Sequence, residues 1–188
     1  MANTATNVTT GKPNITGAVY VAPIGTSLPT DAETSLSASW VCLGYVSEDG
    51  LSNNNELTVE AIKAWGGNIV YRSLTEMNDE FKLALIETEN VDVLKTVYGE
   101  NNVTVDGSGN VSIDVVGEDP IERCWVFELA LRGNRAKRIV VPDGAITSRD
   151  EISYTDSDAV AFGITISAYP DSDSCTHKEY LEKPGSSV

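Results

Sequence analysis

Histidine is almost absent from this chain: His177 is the single one, and it sits in a polar stretch near the C-terminal end. A general base must be held within hydrogen-bond reach of its target, so His177 is a poor catalytic candidate there. Cysteine is scarce too. Cys42, Cys124 and Cys175 are odd in number, widely separated, and form no Cys-x-x-Cys pair. Cys42 and Cys124 fall in apolar strand-like runs, which favours buried thiols over a disulfide or a nucleophile; a reducing compartment of synthesis fits. Bases are few, with 13 Lys and Arg against 28 Asp and Glu, a formal charge of −15. A grip on nucleic-acid phosphates needs clustered Lys and Arg, and so does an anionic membrane surface; both are disfavoured as partners. No run approaches the roughly 20 apolar residues of a membrane span. The first seven residues have neither the basic flank nor the apolar core of a signal peptide. The Asn-x-Ser/Thr triplets at Asn7, Asn14, Asn102 and Asn110 therefore read as composition rather than glycosylation sites.

Catalytic motifs are missing as well. There is no Gly-x-Ser-x-Gly, since Gly107-Ser108-Gly109 belongs to a hairpin turn, and no phosphate-cradling loop. Asp156-Ser157-Asp158 lacks the glycine and distal glutamate of a calcium loop. Asp171, Asp173, Cys175, His177 and Glu179 alternate, and on a strand they would share a face. A zinc site can be drawn through them, but ligand types without a fixing scaffold are weak evidence, and a solvated tail is the plainer reading. Adjacent acids such as Glu118 and Asp119 are ordinary in so acidic a chain. No cofactor, no metal site and no enzymatic activity are expected.

What is present suits one domain with arms at its ends: 188 residues, 41% hydrophobic and 22% charged, enough to bury a core. Residues 1–14, polar and rich in Thr and Asn, read as an N-terminal arm; 15–170 as the domain; 171–188 as a polar C-terminal tail. Strand patterns occur at 18–22, 40–46, 69–86, 124–132, 137–141 and 162–168. Phe81, Leu83 and Leu85 alternate with Glu80 and Lys82, the period of a sheet with one buried side. Asp106-Gly107-Ser108-Gly109-Asn110 turns 103–105 into 111–113, and Pro142-Asp143-Gly144 reads as a further turn. One helix is convincing: Asn90 can cap it, Val91, Leu94, Val97 and Tyr98 form its apolar stripe, and Gly99 can end it. The expected fold is mainly β, a β-sandwich or partly open barrel with one flanking α-helix.

One stretch departs from this economy. In "EDGLSNNNELTVEAIKAWGGNIVYRS", residues 48–73, an acidic turn and three asparagines precede Leu57, Val59, Ile62 and Trp65, and Gly66-Gly67 closes the excursion. Connections usually take about 4–6 residues, and long ones without structure of their own tend to be functional or disordered.

Several segments in order, "GAVYVAPIGTSLPTD" (17–31), "LGYVSEDGL" (43–51), "KAWGGNIV" (63–70), "VDVLKTVYGENNVT" (91–104), "KRIVVPDGAIT" (137–147) and "FGITISAYPD" (162–171), resemble the major tail tube proteins of long flexible-tailed bacteriophages. The match is one of pattern over most of the chain, without a single diagnostic motif. The resemblance implies a tail-tube-protein-like β-sandwich with a flanking helix, joined in hexameric rings that stack into a hollow tube of the virion tail, assembled in the host cytoplasm. Its implied partners are further copies of itself and other tail proteins: tape measure, tail terminator and baseplate or tip. By the same resemblance, 50–67 is a loop reaching to adjacent subunits, with Leu57, Val59, Ile62 and Trp65 as anchors and Gly66 and Gly67 as hinge. A channel lined with acid would let DNA pass in transient contact without sticking; the lumen-facing candidates are Glu76, Glu80 and Glu128, with Lys82 and Arg132 in the same phases. Rival readings are a tube subunit of a phage-like bacteriocin or gene-transfer particle, a soluble carbohydrate- or protein-binding adhesin-like sandwich, and an enzyme with a metal in 171–179.

Overall fold

The computed structural model describes residues 8–14, 18–133 and 135–182. In chain order its elements are β1 (Gly11–Pro13), β2 (Val19–Pro23), β3 (Val41–Cys42), β4 (Ser52–Lys63), β5 (Ile69–Leu85), α1 (Val91–Tyr98), β6 (Val103–Val105), β7 (Val111–Ile113), β8 (Arg123–Leu131), β9 (Arg135–Arg149), β10 (Phe162–Ala168) and β11 (Lys178–Leu181). Nine strands make one sheet, ordered β3-β2-β8-β9-β10-β5-β4, with β1 added beside β8 and β11 beside β9; β6 and β7 form a separate hairpin. The order runs from β3 to β4 without returning, so the sheet is not closed into a barrel. The fold is mainly β with one α-helix, as the alternation and the single 3.6-residue stripe predict.

The core lies on one face of this sheet. Phe81, Leu83 and Leu85 meet Trp125, Phe127, Ile164 and Ile166, and α1 closes the layer with Val93, Leu94 and Val97. Phe81 and Phe127 stack with ring centroids 5.2 Å apart. Helix α1 starts where the Asn90 side chain accepts the Asp92 N–H at 3.0 Å. It ends at Gly99, whose φ of 99° lies in the left-handed region and whose N–H reaches the Lys95 carbonyl. A smaller cluster, Ala22, Trp40, Cys124, Val126 and Val140, is packed with Leu28 and Leu36 of the segment between β2 and β3.

Four expectations need revision. Pro142-Asp143-Gly144 is not a turn; β9 runs straight through it. The strand changes neighbours there: Lys137–Val140 pair with β11, and Gly144–Arg149 pair with β10. Proline has no N–H to give, so it is tolerated where one ladder has stopped and the next has not begun. A Cβ on Gly144 would sit 3.1 Å from Val141 Cγ1 and 3.2 Å from the Ser167 carbonyl, and Trp125 Nε1 donates to the Gly144 carbonyl at 2.9 Å. The strand expected over 40–46 is confined to Val41–Cys42 plus a single bridge from Val46 to Leu85. Gly44 breaks it with φ 76°, where the Glu87 carboxylate occupies the place of a side chain. The C-terminal segment is not simply a tail, because β11 zips onto β9 from Lys178 to Leu181. Likewise Gly11–Pro13 of the N-terminal arm pairs with Leu129–Leu131; residues 1–7 of that arm lie outside the described residues.

Candidate functional site

The excursion at 50–67 is built as a β-hairpin rather than a loop. β4 pairs with β5 from Ser52 opposite Lys82 out to Lys63 opposite Ile69. Twelve residues at about 3.3 Å each make a hairpin of roughly 40 Å, of which the part beyond Asn55 and Asp79 stands clear of β10 as an arm. At its tip the Ala64 N–H reaches the Asn68 carbonyl at 2.8 Å and the Gly67 N–H reaches the Ala64 carbonyl at 2.9 Å. Gly66 and Gly67 take φ of 107° and 91°. Only glycine does this freely, so the pair expected as a hinge turns the chain at the far end of the hairpin.

Because directly opposed residues share a face, the register sorts the arm into two surfaces. Asn53 opposite Phe81 and Asn55 opposite Asp79 belong to the core side; Leu57 opposite Met77, Val59 opposite Leu74 and Ala61 opposite Arg72 continue that side outward. β4 keeps this phase unbroken while β5 absorbs an extra residue at Thr75. The reverse surface carries Glu56, Thr58, Glu60, Ser73, Glu76, Asn78 and Glu80, with Ile62 opposite Tyr71 near the tip. Of the expected anchors, Leu57 and Val59 thus stand together, Ile62 sits on the other side, and Trp65 occupies the turn with its side chain wholly in solvent, at 107%. Leu57, Met77, Val59 and Leu74 are all exposed. Sequence reasoning missed Leu74 and Met77 by giving 69–86 one buried side throughout. A signal was available: 17 residues far exceed the usual strand of about 5–6.

The root of the arm is pinned by a buried acid. Asp79 is 2% exposed; its carboxylate accepts from Asn53 Nδ2 at 2.7 Å on β4 and meets His177 Nδ1 at 2.5 Å. Burial pushes the Asp79 carboxyl up, but hydrogen bonds from Thr176, Asn53 and His177 outweigh it and hold the group below the usual carboxylate range. The His177 ring also stands edge-on to Phe81, centroids 5.3 Å apart. His177 is therefore a structural latch between the C-terminal segment and the arm.

The lumen-facing candidates separate. Glu76 and Glu80 share the acidic reverse surface of the arm and its root. Glu128 does not: its side chain is 13% exposed and paired with Arg138, which is 3% exposed. Arg138 Nη1 also donates to the carbonyls of Asp31 and Thr34, each at 2.9 Å. That cation ties the β2–β3 connection to the sheet, and it matches the Glu128 charge inside the molecule. Asp31 turns the connection: bonds from the Thr34 hydroxyl and from the Thr34 and Glu33 N–H groups hold its carboxyl at about 2. Lys82 is exposed beside Glu80, and Arg132 is exposed beyond the end of β8.

The alternating 171–179 acids and Cys175 do not share one strand face, since β11 begins only at Lys178. Asp171 instead accepts the N–H groups of Asp173 and Cys175, each at 2.9 Å. Among the described residues no three His, Cys, Asp or Glu side chains form a metal-binding group. All three cysteines are free, Cys124 buried and Cys42 and Cys175 half-buried.

A family profile described as phage tail tube protein matches residues 1–184. Among solved structures the chain is similar to a cryo-EM structure of the anti-feeding prophage cap, described as its tube-terminating cap. The identity is 11% and the TM-score 0.49, with 97% of this chain and 100% of that chain covered. No curated protein matches the chain.

Proposed function

The chain belongs to the phage tail tube protein family, and from that premise we propose that it joins further copies in stacked hexameric rings around a negatively charged channel for genome passage into the host. The family is one of structural tail components, not of enzymes, and it places the protein in the virion tail. Assembly in the host cytoplasm, and contacts with tape measure, terminator and baseplate or tip proteins at the tube ends, belong to the same proposal.

One observation carries it: the core side of the sheet runs on past Asp79 for roughly 25 Å as an arm whose apolar residues, Leu57, Val59, Leu74 and Met77, are exposed. A two-stranded hairpin is marginal in water by itself, and contiguous exposed apolar surface marks an interaction site. Trp65 at the tip is the residue type most enriched among interface anchors. The test is to remove 57–77 and join Glu56 to its partner Asn78 through Asn-Gly, a two-residue hairpin turn. The shortened chain is expected to keep its folded core by near-UV circular dichroism and to form no tubes by electron microscopy. Tubes of normal form from this variant would overturn the assembly role of the arm.

The acid has a place in the same scheme. Glu56, Glu60, Glu76 and Glu80 share one surface, and six copies at −15 each would surround the channel with negative charge. Screening confines that field to about 8 Å at physiological salt, enough to deter phosphate at contact without stopping passage. Glu76→Lys with Glu80→Lys should leave tubes intact and slow genome ejection. Ejection at the unaltered rate would place these residues away from the channel.

A further inference from the structure

At the root of the arm lies a groove that fits what the arm carries at its tip. Its cavity measures about 500 Å³. The floor is core surface, from Val19, Leu83 and Phe127, and the walls are Val46, Leu51 and Leu129. Its charged lining is Glu48, Asp49, Lys12 and Glu128, the last already paired with Arg138. The arm ends in the opposite sign. Lys63 lies beside the turn and Arg72 two pairs further in, flanking Trp65 in a chain where acids outnumber bases by more than two to one.

Resting on the assembly reading above, we propose that this groove is the receptor for the Trp65 tip of a second copy of the chain. The indole enters between Leu51 and Leu129, and Lys63 lies against Glu48 and Asp49. The occupant cannot be the chain's own tip. Leu51 and Leu83 are at the root, and the paired strands hold Trp65 roughly 40 Å away, so self-docking would break the whole β4–β5 ladder. Each copy has one tip and one groove at opposite ends of the arm. Two antiparallel arms could exchange tips in a closed two-fold pair, whereas a head-to-tail arrangement propagates into a ring or a filament, and the assembly reading selects the second. A cavity of this size is in the range that encloses small aromatic groups, and an aromatic anchor in a desolvated pocket with a charged rim is the usual form of a binding hot spot.

The experiment places the photo-crosslinking amino acid p-benzoylphenylalanine at Trp65 in the full chain, mixes that protein with ¹⁵N-labelled wild type, irradiates at high concentration, and maps joined peptides by mass spectrometry. Expected are crosslinks from position 65 to residues 46–51 or 127–129 of the labelled copy. Lys63→Glu should lower their yield about tenfold, and Asp49→Lys in the labelled partner should restore it. Crosslinks between copies that fall on another segment would overturn the groove and leave the assembly role of the arm standing. Crosslinks only within one chain would overturn both. A yield indifferent to Lys63→Glu would remove the charged rim from recognition and, with it, the reason for choosing this groove.

Discussion

Strand β5 holds two environments on one backbone. From Asp79 to Leu85 it alternates in the ordinary way, with Phe81, Leu83 and Leu85 in the core and Lys82 outside. From Ile69 to Asn78 its residues are exposed apart from a half-buried Ser73, although Leu74 and Met77 continue the same side as Phe81. Composition does not distinguish the halves; what distinguishes them is whether a third layer lies across the apolar side. Inside, α1 and β8 supply it, and β10 pairs with the second edge of β5. Outside, only β4 runs alongside, and a single neighbouring strand covers backbone edges rather than faces. An apolar face costs the monomer about 25 cal/mol for each Å² left in water, so the arm is stable as a hairpin yet incomplete as a surface.

Two truncations four residues apart on that side break the comparison most sharply. Phe81→Ala removes a wholly buried ring stacked on Phe127, and should destabilise the monomer by about 3–5 kcal/mol. Met77→Ala, on the same side but 42% exposed, should change monomer stability by no more than about 0.5 kcal/mol while impairing tube formation. Urea denaturation and electron microscopy of both variants check this. A large stability loss in Met77→Ala would show that the outer half packs within its own chain.

How much of this was legible depends on which residues carry the signal. The alternation of Phe81, Leu83 and Leu85, the Asn90 cap, the Gly99 stop and the Asp106 turn are local, and periodicity finds them because each is decided within a few positions. The arm was legible as an anomaly: its length, Trp65 and the paired glycines stood out, but three asparagines and a scatter of apolar residues do not announce a strand. Its identity as β4 depends on a partner six to thirty positions away, and pairing across the longer of those distances leaves little trace in one sequence. The strand at Pro142 was misread as a turn for the same reason: a proline between two ladders has the same local chemistry as a proline in a turn. His177 shows the strongest such dependence. Set in a polar tail, it gave no sign of meeting Asp79, 98 positions earlier.

That contact marks the boundary between the two halves, and a smaller effect tests it. Asp79 is the last core-side residue before the arm leaves the body, held at once by β4 through Asn53 and by the C-terminal segment through Thr176 and His177. Of these partners only His177 can bring charge. The folded carboxyl is held below its ordinary value, so ionised Asp79 is favoured by folding. Its contribution is fully present above the unfolded carboxylate pKa of about 3.9 and is lost as pH falls through the lowered folded value. Hydrogen bonds to a charged group are worth about 1.5–3 kcal/mol each, and burial offsets part of that. Asp79→Asn should therefore cost on the order of 1–3 kcal/mol at neutral pH, and the loss should shrink as wild type is acidified below about pH 4. Hydrogen exchange should speed up at Asn53–Asn55 and along Lys178–Leu181 together, because one side chain joins them. If the two segments lost protection independently, or if wild type and Asp79→Asn shared one acid limb, the latch would not be what fixes the arm to the body, and the boundary in β5 would be set by packing at Phe81 alone.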